Sequence, residues 1–294
     1  MADKEIDKVS GVETTGHEWD GIKELNNPLP RWWLWTFYAT IVFAIGYMAY
    51  YPAIPLIEGS TMGMSGETNR SVLQAELKAA DEAKAGLVSQ IEQASLQDIR
   101  TNDELFRFAV AGGQSLYKVN CSQCHGSGAQ GAPGYPNLND DDWLWGGDLD
   151  AIYTTIKHGV RNGTDPEARD SQMPAFGEGI LEAPQIQQVA NYVLKLSGQE
   201  HDEALASTGQ QLYAENCAAC HGEDGKGGRD FGAPNLADQL WLYGGTADKI
   251  AAQISKPKHG VMPAWGQKLD DAEVKQLTVY VHSLGGGEQA AATQ

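Results

Sequence analysis

The longest apolar pattern in the chain runs from Trp32 to Ile57 without a charged residue, and its core, Trp32 to Tyr51, is long enough to cross hydrocarbon as one helix. Trp32, Trp33 and Trp35 at one end and Tyr47, Tyr50 and Tyr51 at the other match the aromatic belts of a membrane interface, and Pro52 and Pro55 stop the helix. A transmembrane helix is therefore expected over residues 31–56. The run lacks the short basic start and small-residue cleavage site of a signal peptide. Residues 1–30 are polar with no sustained apolar period and read as a tail, disordered or packed on a partner. Residues 57–103 read as a linker. Its stretch from Glu58 to Gly66 is expected to be flexible, and the run from about Arg70 to Ile99 to be helical, with Leu73, Leu77, Ala80, Leu87, Ile91 and Ala94 on one face. Lys84 and Asp98 interrupt that seam, so a surface helix on the membrane or on a neighbouring subunit is expected rather than a coiled coil, helped by the pair Lys78 and Glu82. As one rigid piece it would reach roughly 45 Å at about 1.5 Å per residue.

The remainder is an internal repeat. Gly113-Gln114-Ser115-Leu116-Tyr117 is answered by Gly209-Gln210-Gln211-Leu212-Tyr213, Pro136-Asn137-Leu138 by Pro234-Asn235-Leu236, and Trp143-Leu144-Trp145-Gly146-Gly147 by Trp241-Leu242-Tyr243-Gly244-Gly245. His158-Gly159-Val160 is answered by His259-Gly260-Val261, and Met173-Pro174-Ala175-Phe176-Gly177 by Met262-Pro263-Ala264-Trp265-Gly266. Each copy closes with an amphipathic helix, about Ala183 to Leu196 and Asp270 to Leu284, with Tyr192 and Tyr280 at equivalent places. The insertion from Arg161 to Gln172 belongs to the first copy alone and is expected to be a surface loop. The copies occupy residues 104–199 and 200–287, and residues 288–294 read as a flexible tail.

All four cysteines fall in two motifs, Cys121-Ser122-Gln123-Cys124-His125 and Cys217-Ala218-Ala219-Cys220-His221. Two thiols three positions apart can add to the two vinyl groups of one haem, and the histidine that follows reaches the iron. A zinc site would draw paired clusters without a histidine fixed after each, and a thioredoxin-like pair would need a βαβ setting that the pattern lacks. The expected cofactors are thus two covalently bound haem c groups, one per copy, and the expected fold is mainly α, with one N-terminal transmembrane helix followed by two tandem cytochrome c domains. Cys121, Cys124, Cys217 and Cys220 would hold the porphyrins, with His125 and His221 as proximal ligands. For the sixth position the matching loops favour Met173 and Met262, each for the haem of its own copy. A thioether raises the potential and closes the iron to oxygen or peroxide, as an electron carrier requires.

His158 and His259 are the competing ligands and are read as surface or propionate-contacting residues, while His17, His201 and His282 are taken as surface. Pro136 and Pro234 stand where a carbonyl could accept the proximal histidine's Nδ1 proton, or where the chain simply turns. Trp143 and Trp241 are expected to pack on a haem or hydrogen-bond to its propionates, or to be plain buried aromatics. Asp140, Asp141 and Asp142 are expected to be solvated rather than metal-binding.

Haem c is attached on the outer side of the bacterial membrane. Lys4, Lys8, Lys23 and Arg31 precede the span and only Arg70 follows it at comparable distance, so the tail is expected in the cytoplasm and the haem domains in the periplasm of a single-pass inner-membrane protein. A formal net charge of −18 argues against nucleic acid as a partner. The acidic surface either steers a basic electron donor or serves solubility.

The approach to the membrane, Gly16-His17-Glu18-Trp19-Asp20-Gly21-Ile22 and Asn27-Pro28-Leu29-Pro30-Arg31-Trp32-Trp33, together with the two haem motifs, resembles the dihaem subunit III of cbb3-type haem-copper cytochrome c oxidases over nearly the whole chain. The resemblance implies a subunit that carries electrons and does no catalysis of its own. It would take them from a soluble or membrane cytochrome c, or a bc complex, and pass them through a monohaem cytochrome c subunit to the catalytic haem b and copper subunit. It also implies that Cys121, Cys124, His125 and Met173, and then Cys217, Cys220, His221 and Met262, are the two haem sites. A cytochrome subunit of a membrane-bound periplasmic dehydrogenase would share this carrier chemistry with the opposite electron flow. A dihaem peroxidase-like enzyme would be expected to lack one of the two methionine loops.

Overall fold

The structure is a computed structural model that describes residues 5–289, and its contacts divide the chain into two compact units that meet between Ala83 and Lys84. In the first unit, strands β1 (Thr14–Trp19) and β2 (Ile22–Leu25) pair antiparallel, with Trp19 opposite Ile22. Asp20 and Gly21 make the connection, both at positive φ, 50° and 82°, the two-residue turn that matches the twist of a hairpin. The segment read as a tail, disordered or packed on a partner, therefore holds a hairpin of its own. Helix α1 (Arg31–Tyr50) is 20 residues long, buries none of them, and is long and apolar enough to cross a membrane. Thr36 and Thr40 donate their hydroxyls back to the carbonyls of Trp32 and Phe37, at 3.0 and 2.7 Å, so neither is left unbonded on an apolar surface.

The helix stops at Tyr50, ahead of Pro52, and the following chain closes its end. Strands β3 (Pro55–Leu56) and β4 (Gly59–Ser60) form a short hairpin, after which the N–H groups of Met64 and Ser65 donate to the carbonyls of Ala49 and Tyr50 at 3.1 and 2.8 Å. Gly63 permits this return, because a Cβ there would lie 2.5 Å from the Tyr50 carbonyl oxygen. The stretch expected to be flexible is thus a helix cap, satisfying carbonyls that α1 cannot satisfy itself.

Helix α2 (Asn69–Gln93) ends short of the expected Ile99. Ser95 accepts the Asp98 N–H at 3.1 Å and starts a separate helix, α3 (Leu96–Thr101). Each sequence copy then yields the same series. The first gives α4 (Asp103–Asn120), α5 (Ser122–His125), α6 (Leu149–His158) and α7 (Ala183–Leu196). The second gives α8 (Glu203–Asn216), α9 (Ala218–His221), α10 (Ala247–Ser255) and α11 (Asp271–His282). Side-chain caps from Asn102, Asp148, Asp202 and Asp270 start α4, α6, α8 and α11.

The copies do not pack as two beads. Residues 197–202 are too short to keep α7 and α8 apart, so the two form a helical hairpin and pack on each other, with α10 beside α7. That leaves α11 to pack on α4 and α6. One lobe is therefore built from the front of the first copy and the end of the second, and the other from the contiguous chain between them. Their cores follow suit: Tyr117, Ile152 and Ile156 bury with Val274, Leu277 and Val281, while Val189 and Val193 bury with Tyr213, Ile250 and Ile254. The repeated glycine-tyrosine motif makes both helix pairs possible. A Cβ on Gly113 would lie 2.2 Å from the Gln276 carbonyl oxygen, and one on Gly209 would lie 2.1 Å from that of Gln188. Four residues on, Tyr117 packs on Tyr280 and Tyr213 on Tyr192, with ring centroids 5.5 and 5.2 Å apart.

Two backbone crossings tie the sequence copies together, one within each lobe. Val160 and Met262 exchange a pair of backbone hydrogen bonds at 3.0 and 2.9 Å, and Phe176 and Gly177 donate to Ile254 and Ser255 at 3.2 and 3.0 Å. The insertion after Val160 is exposed in part and pinned in part, since Arg161 donates its N–H to the Arg169 carbonyl and the Arg169 guanidinium lies over the Trp145 ring at 5.2 Å. The described end of the chain is also held. Gly286 accepts from the Trp143 indole at 2.7 Å, and Glu288 accepts from the Gly147 N–H at 2.8 Å and pairs with Arg229. Glu288 thus departs from the flexible tail expected from residue 288 onward; residues 290–294 lie outside those described.

Candidate haem sites

Each haem motif is a single helical turn set on the end of a long helix. Helix α4 ends as Cys121 donates its N–H to Tyr117, and α5 then places Cys121, Cys124 and His125 together, with the Cys124 and His125 N–H groups donating to the Cys121 carbonyl at 3.1 and 3.0 Å. The second motif repeats this after α8, with Cys220 and His221 donating to Cys217 at 3.2 and 3.0 Å. Gly126 and Gly222, at φ 83° and 80°, end the turns, and their carbonyls accept the hydroxyls of Tyr117 and Tyr213 at 2.8 and 2.9 Å. Left-handed backbone at that point belongs to glycine.

The chain then loops back over the histidine. His125 Nδ1 lies 3.0 Å from the Pro136 carbonyl oxygen and His221 Nδ1 lies 3.1 Å from that of Pro234. A carbonyl only accepts, so Nδ1 carries the proton and Nε2 keeps a free lone pair. Burial pushes both imidazoles below their ordinary pKa, against the smaller upward effect of the proline carbonyl, and a neutral ring is what a metal takes. Burial also pushes the Cys121 and Cys217 thiols up to about 11. Of the two readings of Pro136 and Pro234, the carbonyl acceptor is the one observed.

Two apolar cavities open over these motifs, with about 1380 and 810 Å³ of space counting their mouths; pockets for bound small molecules run to roughly 300–1,000 Å³. The first holds Cys121, Cys124, His125 and Met262 in its walls. The second holds Cys217, Cys220, His221 and Met173. The methionines are therefore exchanged relative to the expected pairing of His125 with Met173 and His221 with Met262. The cause is the helix packing: Met262 enters the first lobe with α11, and Met173 enters the second with α7. Thiols, a proton-directed imidazole and a thioether in an apolar cavity are the donor set that a covalently held haem requires, and it is present twice.

Other expected residues fall in varied places. His158 stands outside the first cavity's walls, its two ring nitrogens each 3.1 Å from a carboxylate oxygen, of Asp165 and Glu167. His259 lines the second cavity; burial and then the charge of Arg161 hold its pKa down, against a backbone contact with Met173. His282, expected on the surface, is buried, because α11 packs its end under α3: Arg100 reaches its Nδ1 at 2.7 Å and its Nε2 meets the Glu288 carbonyl at 2.7 Å. His17 is exposed, and His201 is half-buried between Gln199 and Glu203. The Trp143 indole N–H is taken by Gly286, so that ring presents only its apolar faces to the first cavity. Asp142 is not simply solvated. It lines the first cavity, where burial, followed by Asp238, Asp140 and Asp141, raises its carboxyl to about 6 against the pull of Arg229. Sequence reasoning missed Arg161, Leu144, Leu242 and Gly260, which line both cavities; the signal was that three of them lie in the repeated motifs.

Comparison with known proteins agrees over the full length. Residues 11–58 match the N-terminal domain of cytochrome oxidase-cbb3, FixP, and residues 108–193 and 204–281 match the family of cytochrome c oxidase, cbb3-type, subunit III. The chain is 56% identical over 290 residues to a cbb3-type cytochrome c oxidase subunit FixP of Sinorhizobium medicae, covering 98% of this chain and 100% of that protein. It is 54% identical over 276 residues to the CcoP subunit of Cereibacter sphaeroides, covering 94% and 95% respectively. With both halves of its sequence repeat, its membrane approach and its two donor sets accounted for by one family, the chain belongs to the subunit III family of cbb3-type cytochrome c oxidases and carries one covalently bound haem c in each cytochrome c domain.

Proposed function

We propose that this dihaem subunit relays electrons from a periplasmic cytochrome c, or a bc complex, through a monohaem cytochrome c subunit to the haem b and copper subunit that reduces oxygen to water. Bound haem iron supplies the one-electron chemistry; the chain supplies attachment, ligation and insulation. Cys121 and Cys124 would attach the first group, with His125 and Met262 as its iron ligands, and Cys217 and Cys220 would attach the second, with His221 and Met173. The proline carbonyls fix each imidazole with Nε2 toward the cavity. A thioether ligand opposite it would fill the position that oxygen needs and favour the reduced iron, as an electron carrier requires. The observation that carries this reading is the common wall. The same four residues line both cavities, so the two haem groups would be neighbours across one shared wall.

In this reading α1 spans the inner membrane with the residues before it in the cytoplasm, as the basic residues preceding the span indicate. The test is purification from native membranes in mild detergent with haem and copper analysis and an oxygen-uptake assay using reduced cytochrome c. Co-migration of this chain with haem b, copper and rapid uptake is expected; recovery with a flavin- or quinone-cofactor dehydrogenase would reject it. Met262→His is expected to lower the midpoint of the haem attached at Cys121 and Cys124, and Met173→His that of the other. Midpoints that move in the opposite assignment would restore pairing within each copy.

A further inference from the structure

The four residues shared by the two cavities are Leu144, Leu242, Gly260 and Arg161, and only the last is charged. Its guanidinium is fixed by one carbonyl from each copy: Nε donates to Gly260 at 2.8 Å and Nη1 to Ser171 at 2.9 Å. The backbone is held as tightly. Arg161 sits at φ 51°, a left-handed conformation costly for a side chain with a Cβ, and its N–H donates to Arg169. The guanidinium is half-buried, and among the described residues no carboxylate lies within ion-pair distance; Asp170 acts on it only from further off. Two of its five N–H donors go to these carbonyls, and the others make no hydrogen bond to the described residues.

A desolvated cation without a counter-charge is costly to hold, and a fold that holds one at a ligand cavity has a ligand anion to pair it with. Haem brings such anions, its two propionate carboxylates, to each cavity. The residue lies in the insertion that the second copy lacks, where His259-Gly260-Val261 runs straight into Met262. The second copy therefore contributes no equivalent, and the two cavities share one guanidinium.

We propose that Arg161 is the common counter-charge to haem propionates in both cavities, so that one side chain raises the midpoints of both haems. The proposal rests on the haems occupying the two cavities with His/Met ligation. A positive charge beside the porphyrin carboxylates favours the less positive, reduced iron, and at this place it does so for both sites.

The experiment is a spectroelectrochemical titration of the full-length haem-loaded protein in its assembled complex, wild type against Arg161→Gln and Arg161→Lys, with haem content and the methionine-ligation band recorded first. Both midpoints are expected to fall in Arg161→Gln and to stay near wild type in Arg161→Lys. The proposal is overturned if either midpoint is unmoved in Arg161→Gln, or if Arg161→Lys shifts as far, which would mark a purely structural clamp. Should Arg161→Gln not mature, Arg161→Lys is titrated against pH. A lysine ammonium so placed loses its proton far more readily than a guanidinium, so both midpoints should fall together at alkaline pH in the variant and not in wild type. Asp142, Asp170, His259 and Tyr243, which face this region, are common to both proteins and cancel. A parallel pH profile in the two proteins overturns the proposal. Absence of the methionine-ligation band in wild type would instead reject the haem placement on which it rests.

Discussion

Gly113 and Gly209 show how single residues decide the arrangement, since a Cβ at either would meet a carbonyl oxygen of the partner helix at 2.2 or 2.1 Å. Gly113→Ala is expected to cost roughly 1–3 kcal/mol by forcing α4 off α11, measured by denaturant unfolding of the haem-loaded protein, and to perturb the first haem's absorbance before the second's. Gly209→Ala should reverse that order. Asp142 provides a pH signature. Its carboxyl, raised to about 6 chiefly by burial, is neutral below that pH and anionic above it. The added negative charge favours oxidised iron, so the midpoint of the haem in the first cavity should fall as pH rises through about 6, the second haem should respond less, and Asp142→Asn should lose the step. At this scale much was legible in the sequence. The cysteines and the histidine after each pair stood out because covalent attachment imposes a spacing on the chain, and the two methionines because their loops repeat. Arg161 did not, because its importance comes from two walls that meet only after folding.

At the scale of elements, local chemistry was more informative than periodicity. The hairpin at Asp20-Gly21 carried its own turn signal, yet its strands are short and exposed and show no apolar alternation, so a reading by period passed over it. The helix expected to run on to Ile99 breaks where Ser95 offers a cap. The end of α2 is also gripped from outside: Lys275 donates its ammonium to the carbonyls of Ile91, Glu92 and Ala94 at 3.3, 2.7 and 3.1 Å. These are groups that the helix leaves unpaired at its negative end. Lys275→Met, which keeps the stem and removes the charge, is expected to cost about 1–3 kcal/mol. Hydrogen exchange should show the loss first in residues 88–94, while the midpoints of both haems stay unchanged.

For the whole molecule, the sequence repeat and the packing units are different things. Alignment of the copies divides the chain near residue 200, but the hairpin of α7 and α8 makes residues 171–255 one lobe and assigns α4 and α11 to the other. No pattern within a copy distinguishes these outcomes, since each final helix presents the same apolar face and the same tyrosine to whichever first helix it meets. A chain stopped after Lys256 separates them. It should keep Met173 opposite His221 and a methionine-ligated second haem, while the first haem, without Met262 and α11, becomes five-coordinate and high-spin, as electron paramagnetic resonance would show. The same topology sets a timetable for biogenesis. The first haem motif would cross the membrane early and its methionine near the end, whereas the residues of the second site lie closer together in the chain and would be complete sooner. Where attachment keeps pace with export, the first haem would stand open to small ligands such as carbon monoxide until the final helix arrives.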